Sequence, residues 1–232
     1  MSRAAIEPKL LIFDCDGVLV DSEPLAMRVL LEGIAEVGLT IPDESGYERF
    51  LGKDLASITT LLSDEHGVDL THSALERMRV RLHDSFRREL KAMPGMVATL
   101  DAINLPCCVA SSSGLERVLL SLEVTGLRAR FEPNIFSATM VARGKPAPDL
   151  FLHTAQAMDV APAACVVIED SPAGVEAAQR AGMTVFAFTG GAHARRAAHR
   201  EALKALKPRL IFDDMRRLPD HLGLRASAGN VS

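Results

Sequence analysis

The chain has 232 residues, of which 48% are hydrophobic and 24% are charged, and this composition predicts a folded protein with a sizeable core. The net charge of −4, the absence of Trp and the single Tyr do not favour nucleic-acid binding, which usually needs a basic surface with stacking aromatic residues. No apolar run reaches the roughly 18 residues of a membrane span, and four cysteines do not make a disulfide framework. The N-terminal segment leads into a strand rather than a signal-peptide core, so we expect a cytoplasmic protein without membrane or nucleic-acid partners.

The first predicted element is a buried strand that ends in two acids. The run Leu10-Leu11-Ile12-Phe13 is apolar enough to be covered on both faces, and Asp14-Cys15-Asp16-Gly17 follows it directly. Two carboxylates two residues apart on an extended chain point to the same side. Such a stretch can be a plain turn, a calcium loop, or a nucleophilic carboxylate with an acid/base partner and a hard metal ion. Val18 and Val20 occupy positions where a calcium loop needs oxygen ligands, which excludes that interpretation.

A block of helices follows the acidic loop. Ser22 can cap a first helix, Pro24 suits its first turn and Gly38 can end it. Its apolar stripe consists of Met27, Leu30, Ile34 and Val37. Further helices are predicted at about 43–51, 54–65 and 71–90. The Arg residues of the last helix fall mostly between its apolar positions, which favours a solvated helix face over a nucleic-acid-binding surface.

The second half of the chain alternates short apolar strands with helices. The predicted strands lie at 107–110, 135–137, 165–168, 185–188 and 210–212. This alternation predicts an α/β fold with a Rossmann-like parallel sheet covered by helices on both faces. Asp213 and Asp214 also follow a strand, but they lack the spaced acid pair and the glycine, so we interpret them as the end of an edge strand.

Polar side chains collect where these strands end. They are Asp14, Asp16, Ser111, Lys145, Glu169 and Asp170. Each has a structural explanation: Ser111 can belong to a helix cap, Lys145 can be an exposed loop residue, and Glu169-Asp170-Ser171-Pro172 can cap a helix. Because the carboxyl ends of parallel strands meet at one edge of a sheet, their joint occurrence there predicts a functional site.

The acids and the lysine of this set fit phosphoryl transfer. Asp14 would attack phosphorus and form an aspartyl phosphate, and Asp16 would protonate the leaving alcohol and then activate water. Lys145 would offset the negative charge of the phosphate. A Mg²⁺ ion held by Asp14, Asp170, Glu169 and the backbone carbonyl of Asp16 would add further positive charge, because an all-oxygen ligand set favours Mg²⁺ over zinc.

The segment after the second strand is expected to bind the phosphate group. The hydroxyl of Ser111 and the backbone N–H groups around Ser112, just before the next helix, would hold phosphate oxygens as helix N-termini do. The predicted substrate is therefore a small phosphorylated molecule.

Four motifs, taken in order, make the chain resemble the haloacid dehalogenase superfamily of phosphatases. They are DCDGVLVDSE, VASSSG, GKPAPD and IEDSPAGVEAA, and together they extend over nearly the whole chain. The resemblance implies that Asp14 is the nucleophile and Asp16 the acid/base, and that Ser111, Lys145, Glu169 and Asp170 match the family's serine, lysine and final acidic pair. It also implies a Rossmann-like core, 1–20 with 91–232, and a helical cap domain inserted at 21–90. The D-x-D-G motif, with its second acid, resembles the motif of the phosphatase branch of the family rather than that of the dehalogenases.

Within that family the chain resembles the branch that contains β-phosphoglucomutase and the sugar-phosphate phosphatases. The mutases carry a His in the first cap helix, where this chain has Ala26, which favours a hydrolase over a phosphomutase. The cap segment with Gly52 and Lys53 resembles the family's substrate-specificity loop, although a plain turn between helices fits it equally well. We expect a monomeric, Mg²⁺-dependent phosphatase of a sugar or sugar-acid phosphate. The alternatives are a phosphomutase and a non-catalytic phosphate-binding protein.

Overall fold

The core of the protein is one parallel sheet of six strands. The computed structural model describes residues 7–51 and 55–224. Within them the strands are β1 (Leu10–Phe13), β2 (Cys107–Ser111), β3 (Ile135–Ser137), β4 (Cys165–Glu169), β5 (Thr184–Phe188) and β6 (Leu210–Phe212). Their order in the sheet is β3-β2-β1-β4-β5-β6, so β1 and β4 are central and β6 is an edge strand. The predicted α/β fold is confirmed, and so is the placement of Asp213 and Asp214 after an edge strand.

The register of the central strands brings their carboxyl ends to one level. Phe13 pairs with Val109 of β2 on one side and with Ile168 of β4 on the other. All four residues of β1 are fully buried. Leu11 and Phe13 pack into the core on one face of the sheet, and Leu10 and Ile12 pack into the core on the other. This alternation is the expected result for a strand covered on both faces, and it leaves Asp14 at the sheet edge beside the ends of β2 and β4.

Eleven α-helices are found in the described part of the chain. They are α1 (Glu23–Glu36), α2 (Asp43–Phe50), α3 (Leu55–His66), α4 (His72–Glu89), α5 (Met96–Asp101), α6 (Leu115–Val124), α7 (Arg128–Phe131), α8 (Asp149–Ala157), α9 (Pro172–Arg180), α10 (Ala197–Ala205) and α11 (Leu218–His221). The helix α9 begins as predicted, with Ser171 as its cap and Pro172 at its first position. No helix in the described residues is long and apolar enough to cross a membrane.

The helices α1 to α4 lie between β1 and β2 and form a separate apolar cluster. Met27, Leu30, Ile34 and Phe50 belong to it, and α1 ends before Gly38, whose φ of +94° suits glycine. The chain enters and leaves this block side by side, because Asp21 N–H donates to Lys91 O over 3.1 Å. We propose that 21–90 form a cap domain on a core made of 1–20 and 91–232.

Candidate active site

The loop after β1 lets the side chains of neighbouring loops pack directly against its backbone. Asp14 N–H donates to Ile168 O at the end of β4 over 3.0 Å, which fixes the start of the loop. Gly17 has a φ of +76°, and a Cβ atom there would overlap the carboxylate of Asp170 and contact the ring of His193. A glycine is therefore required at this position for both the backbone conformation and the space.

Lys145 is the buried cation of the site. Its Nζ donates to Asp14 Oδ1 over 2.7 Å, to Glu169 Oε1 over 2.7 Å and to Ala110 O over 2.9 Å. Its side chain is only 2% exposed. Burial alone would lower the pKa of Lys145, but Asp14 and Glu169 raise the pKa above its usual value, so the group is an ammonium ion. The structural alternative for Lys145, an exposed loop residue without a role in the site, is therefore wrong.

Three carboxylates meet beside this ammonium group. One oxygen each of Asp14, Glu169 and Asp170 lie within 4.8 Å of one another, and all three residues are buried. Burial raises the pKa of Asp14 well above its usual range, Lys145 opposes this effect, and Glu169 and Asp170 add to it. These three buried carboxyl groups share the single ammonium group of Lys145, so the cluster has room for further positive charge. Their possible ligand atoms are all oxygens, which fits a hard divalent cation.

Asp16 belongs to the same pocket but has its own set of partners. Its Oδ1 accepts from Ser22 Oγ over 2.6 Å and from Arg117 Nη2 over 2.8 Å, and its Oδ2 accepts from Ser113 Oγ over 2.6 Å. Burial raises the pKa of Asp16, but Arg117 and the two hydroxyl groups outweigh this and hold the pKa below its usual value. Asp16 is therefore ionised in this state. Ser22 does not cap α1 with its side chain, contrary to the prediction, because its backbone is in the αR region (φ −86°, ψ −23°) rather than extended, and its hydroxyl points to Asp16.

Ser111 and Ser112 lie at the end of β2, on the wall of the pocket. Ser111 is 1% exposed, and its Oγ accepts from Ser113 N–H over 3.1 Å. Ser112 is exposed. The helix α6 starts after Gly114 without a side-chain cap, so the serines do not cap it. Their polar groups remain at the edge of the sheet where a phosphate group is expected.

Two histidines that the sequence analysis did not single out hold Asp170. His193 Nε2 lies 2.7 Å from Asp170 Oδ2, and His199 Nε2 lies 2.7 Å from the backbone oxygen of Asp170. Burial lowers the pKa of His193, but Asp170, Glu23 and Asp21 together raise it, so the net shift is upward. His193 comes five residues after the end of β5 and His199 lies in α10, so neither stands directly at a strand end, where the other groups were found.

A pocket of about 820 Å³ joins these groups. Asp14, Asp16, Ser111, Ser112, Lys145, Glu169 and Asp170 all line it, so every predicted site residue of the described part lies on one cavity. Apolar residues of α1, α2 and α4 line the opposite wall, among them Leu30, Phe50 and Leu82. Gly52 and Lys53, predicted to bind substrate, lie outside the described residues.

Glu23 and Arg117 also line the pocket and were missed from the sequence. Burial raises the pKa of Glu23 to about 7; His193 and Arg117 lower it, and Asp16 and Asp170 raise it further. Neither residue had a signal in the sequence alone, because Glu23 stands in the first turn of a helix, where acids are common, and Arg117 stands in an amphipathic helix.

Comparisons with known proteins agree on one family. The family model described as haloacid dehalogenase-like hydrolase matches residues 11–188. The chain is 36% identical over 188 residues to the 6-phosphogluconate phosphatase of Escherichia coli K12, covering 81% of this chain and 85% of that protein. It is 33% identical to hexitol phosphatase A of the same organism, covering 78% and 83%. The crystal structure of a conserved haloacid dehalogenase-like protein from Agrobacterium tumefaciens superposes with a TM-score of 0.84 at 35% identity, covering 93% of this chain and 98% of that one.

Proposed function

Because the chain belongs to the haloacid dehalogenase-like hydrolases and is a phosphoric monoester hydrolase, we propose that it is a Mg²⁺-dependent phosphatase of a sugar or sugar-acid phosphate. The observation that carries the proposal is the buried cluster of Asp14, Glu169 and Asp170 around the ammonium group of Lys145. The names of the two reported relatives, which refer to 6-phosphogluconate and to a hexitol, support a sugar-derived substrate.

The proposed reaction has two halves, both at phosphorus. In the first, a carboxylate oxygen of Asp14 attacks phosphorus, the ester bond breaks, and Asp16 gives a proton to the leaving oxygen. In the second, Asp16 takes a proton from a water molecule that attacks the aspartyl phosphate, which releases phosphate and restores Asp14. The ionised Asp16 of this structure suits the second half. The first half requires that some of its three donors leave Asp16 and that it takes up a proton.

The chain's own groups would bind the phosphate and the metal ion. Lys145 and the serines at the end of β2 would hold phosphate oxygens. Asp14, Asp170 and the carbonyl oxygen of Asp16 would ligate Mg²⁺, which when bound supplies positive charge for the transferring phosphoryl group. Both oxygens of Glu169 already accept hydrogen bonds, from Lys145 and from the N–H and hydroxyl of Ser171. This arrangement supports a role for Glu169 through an intervening water molecule.

A residue of the pocket also favours a phosphatase, which transfers the phosphate to water, over a phosphomutase, which transfers it to a sugar hydroxyl. Ala26 lines the pocket at the position where the mutases of the family carry a histidine, so no imidazole is available there. The segment with Gly52 and Lys53 remains a proposed specificity loop, and the monomeric state and the cytoplasmic location remain predictions.

Phosphate release tests this proposal. The protein should hydrolyse p-nitrophenyl phosphate in Mg²⁺, lose the activity in EDTA and regain it when Mg²⁺ is restored. Asp14→Asn should abolish the activity, whereas Asp213→Asn, which changes an exposed aspartate after the edge strand β6, should retain it. A panel of sugar and sugar-acid phosphates then identifies the substrate. Full activity in EDTA, or in the Asp14→Asn variant, would contradict the proposal.

A further inference from the structure

Arg117 is a pocket residue to which the proposed reaction gives no role. It lies in the first turn of α6, and its guanidinium carbon is 5.3 Å from the centre of the Phe86 ring in α4. Phe86 is fully buried, so the ring is a fixed support. The side chain of Arg117 remains 26% exposed and lines the pocket. The guanidinium group is therefore held in place while part of it stays accessible to a ligand.

The guanidinium group has more donors than the described part of the chain satisfies. Arginine carries five N–H donors and keeps its charge. In residues 7–51 and 55–224 its hydrogen-bond partner is Asp16, through Nη2, and its Nε is shut off from solvent without a partner. Arg79, on the same wall, instead donates to Glu76 and Glu116. Nη1 makes no hydrogen bond within the described residues and is not among the buried atoms, so a ligand that brings oxygen atoms to Arg117 would form hydrogen bonds that the described part of the chain leaves unmade.

The position of Arg117 indicates which part of a substrate would supply those oxygens. The contacts of Lys145 are with Asp14, Glu169 and the backbone of Ala110, on the phosphate side of the site. Arg117 contacts Asp16, which is proposed to reach the leaving oxygen. Two hydrogen bonds through one carboxylate oxygen of Asp16 would place the leaving oxygen at most roughly 5–6 Å from Arg117 Nη2. An oxygen on the carbon next to the esterified carbon can bridge this separation.

We propose that Arg117 is a specificity-determining residue that binds an oxygen on the leaving group, placed on the carbon next to the one esterified to phosphate. The preferred substrates are phosphate esters with a hydroxyl or carboxylate at that carbon. A carboxylate suits the planar guanidinium best, because it can accept two parallel hydrogen bonds. The inference rests on the proposed phosphatase function and narrows its substrate class.

Three substrates of equal carbon count test the inference. Ethyl phosphate has no further oxygen on its leaving group, 2-hydroxyethyl phosphate has a hydroxyl on the neighbouring carbon, and phosphoglycolate has a carboxylate there. Values of kcat/KM from phosphate release are measured for the wild type, Arg117→Met and the matched variant Arg79→Met. The wild type should prefer both oxygen-bearing substrates over ethyl phosphate. Arg117→Met should reduce that preference roughly 10- to 100-fold, the range of a hydrogen bond to a charged group, and Arg79→Met should not.

The possible outcomes separate this inference from the function on which it rests. An equal loss on all three substrates in Arg117→Met would assign Arg117 to the support of Asp16 or of the fold, and would overturn the specificity role. A wild type without any preference would overturn it too. If Arg117→Met does not fold, Arg117→Lys decides, because it keeps the charge but loses Nε and the planar donors, and its preference for 2-hydroxyethyl phosphate should fall. A wild type inactive on these substrates and on p-nitrophenyl phosphate would refute the phosphatase function itself.

Discussion

The side chain of Glu23 should make the stability of the protein depend on pH. Burial, the largest cause, raises the pKa of Glu23 from its ordinary value of 4.5 to about 7. An acid with a raised pKa in the folded state contributes stability that is fully present below its unfolded pKa and is lost as pH rises through its folded pKa. The window for Glu23 therefore runs from about pH 4.5 to just above pH 7. At about 1.4 kcal/mol for each tenfold change in acid dissociation, the loss across this window is up to about 3 kcal/mol.

Glu23→Gln removes this titration and keeps the shape of the side chain. The free energy of unfolding, measured by urea denaturation in EDTA, should be similar for variant and wild type near pH 5. Near pH 8 the variant should be more stable by up to about 3 kcal/mol. Glu48→Gln, which changes an exposed glutamate of α2, serves as the control and should show no such trend. A difference between Glu23→Gln and the wild type that is the same at both pH values would refute the assignment of a buried, raised-pKa carboxyl group.

Three other substitutions test the candidate active site and the proposed cap domain. Lys145→Met should lower kcat by roughly 10²–10³ and, in EDTA, lower the free energy of unfolding by about 3–5 kcal/mol, because it leaves buried carboxylates without their cation. Gly17→Ala should weaken Mg²⁺ binding in calorimetry because its Cβ displaces the carboxylate of Asp170, whereas Gly67→Ala, also at positive φ but in open space, should not. Lys53→Ala should raise KM for a sugar-acid phosphate more than for p-nitrophenyl phosphate, and equal effects would contradict a specificity role.

The sheet and the ends of its central strands were predictable because both follow from local chemistry. A fully apolar run such as Leu10–Phe13 has one stable environment, between two layers of helices, and acids directly after it must lie at the sheet edge. Asp14, Glu169 and Asp170 came together for that reason, and the loop between β3 and α8 brings Lys145 to them. The helix block after β1 was equally visible, because its stripes have helical spacing and no strand interrupts them in the described residues.

The remaining contacts depend on tertiary packing, which sequence spacing does not encode. Arg117 looks like any polar residue of an amphipathic helix, and only the approach of α4 places Phe86 under it and the loop after β1 beside it. Ser22 has the residue type and position of a helix cap, yet its backbone is in the αR region instead of the extended conformation of a capping residue, and its hydroxyl donates to Asp16 Oδ1. His193 stood in a basic segment whose direction relative to Asp170 is set by the turn after β5.

The central claim, that Asp14 is the nucleophile, is tested most directly by trapping the protein with fluoroberyllate, which mimics a phosphoryl group bonded to a carboxylate. A crystal structure of the Mg²⁺ complex with this reagent should show the beryllium bonded to a carboxylate oxygen of Asp14, with fluorine atoms near Lys145 and Ser111. The Asp14→Asn variant should bind no adduct. An adduct on any other residue, or equal trapping by the variant, would contradict the account.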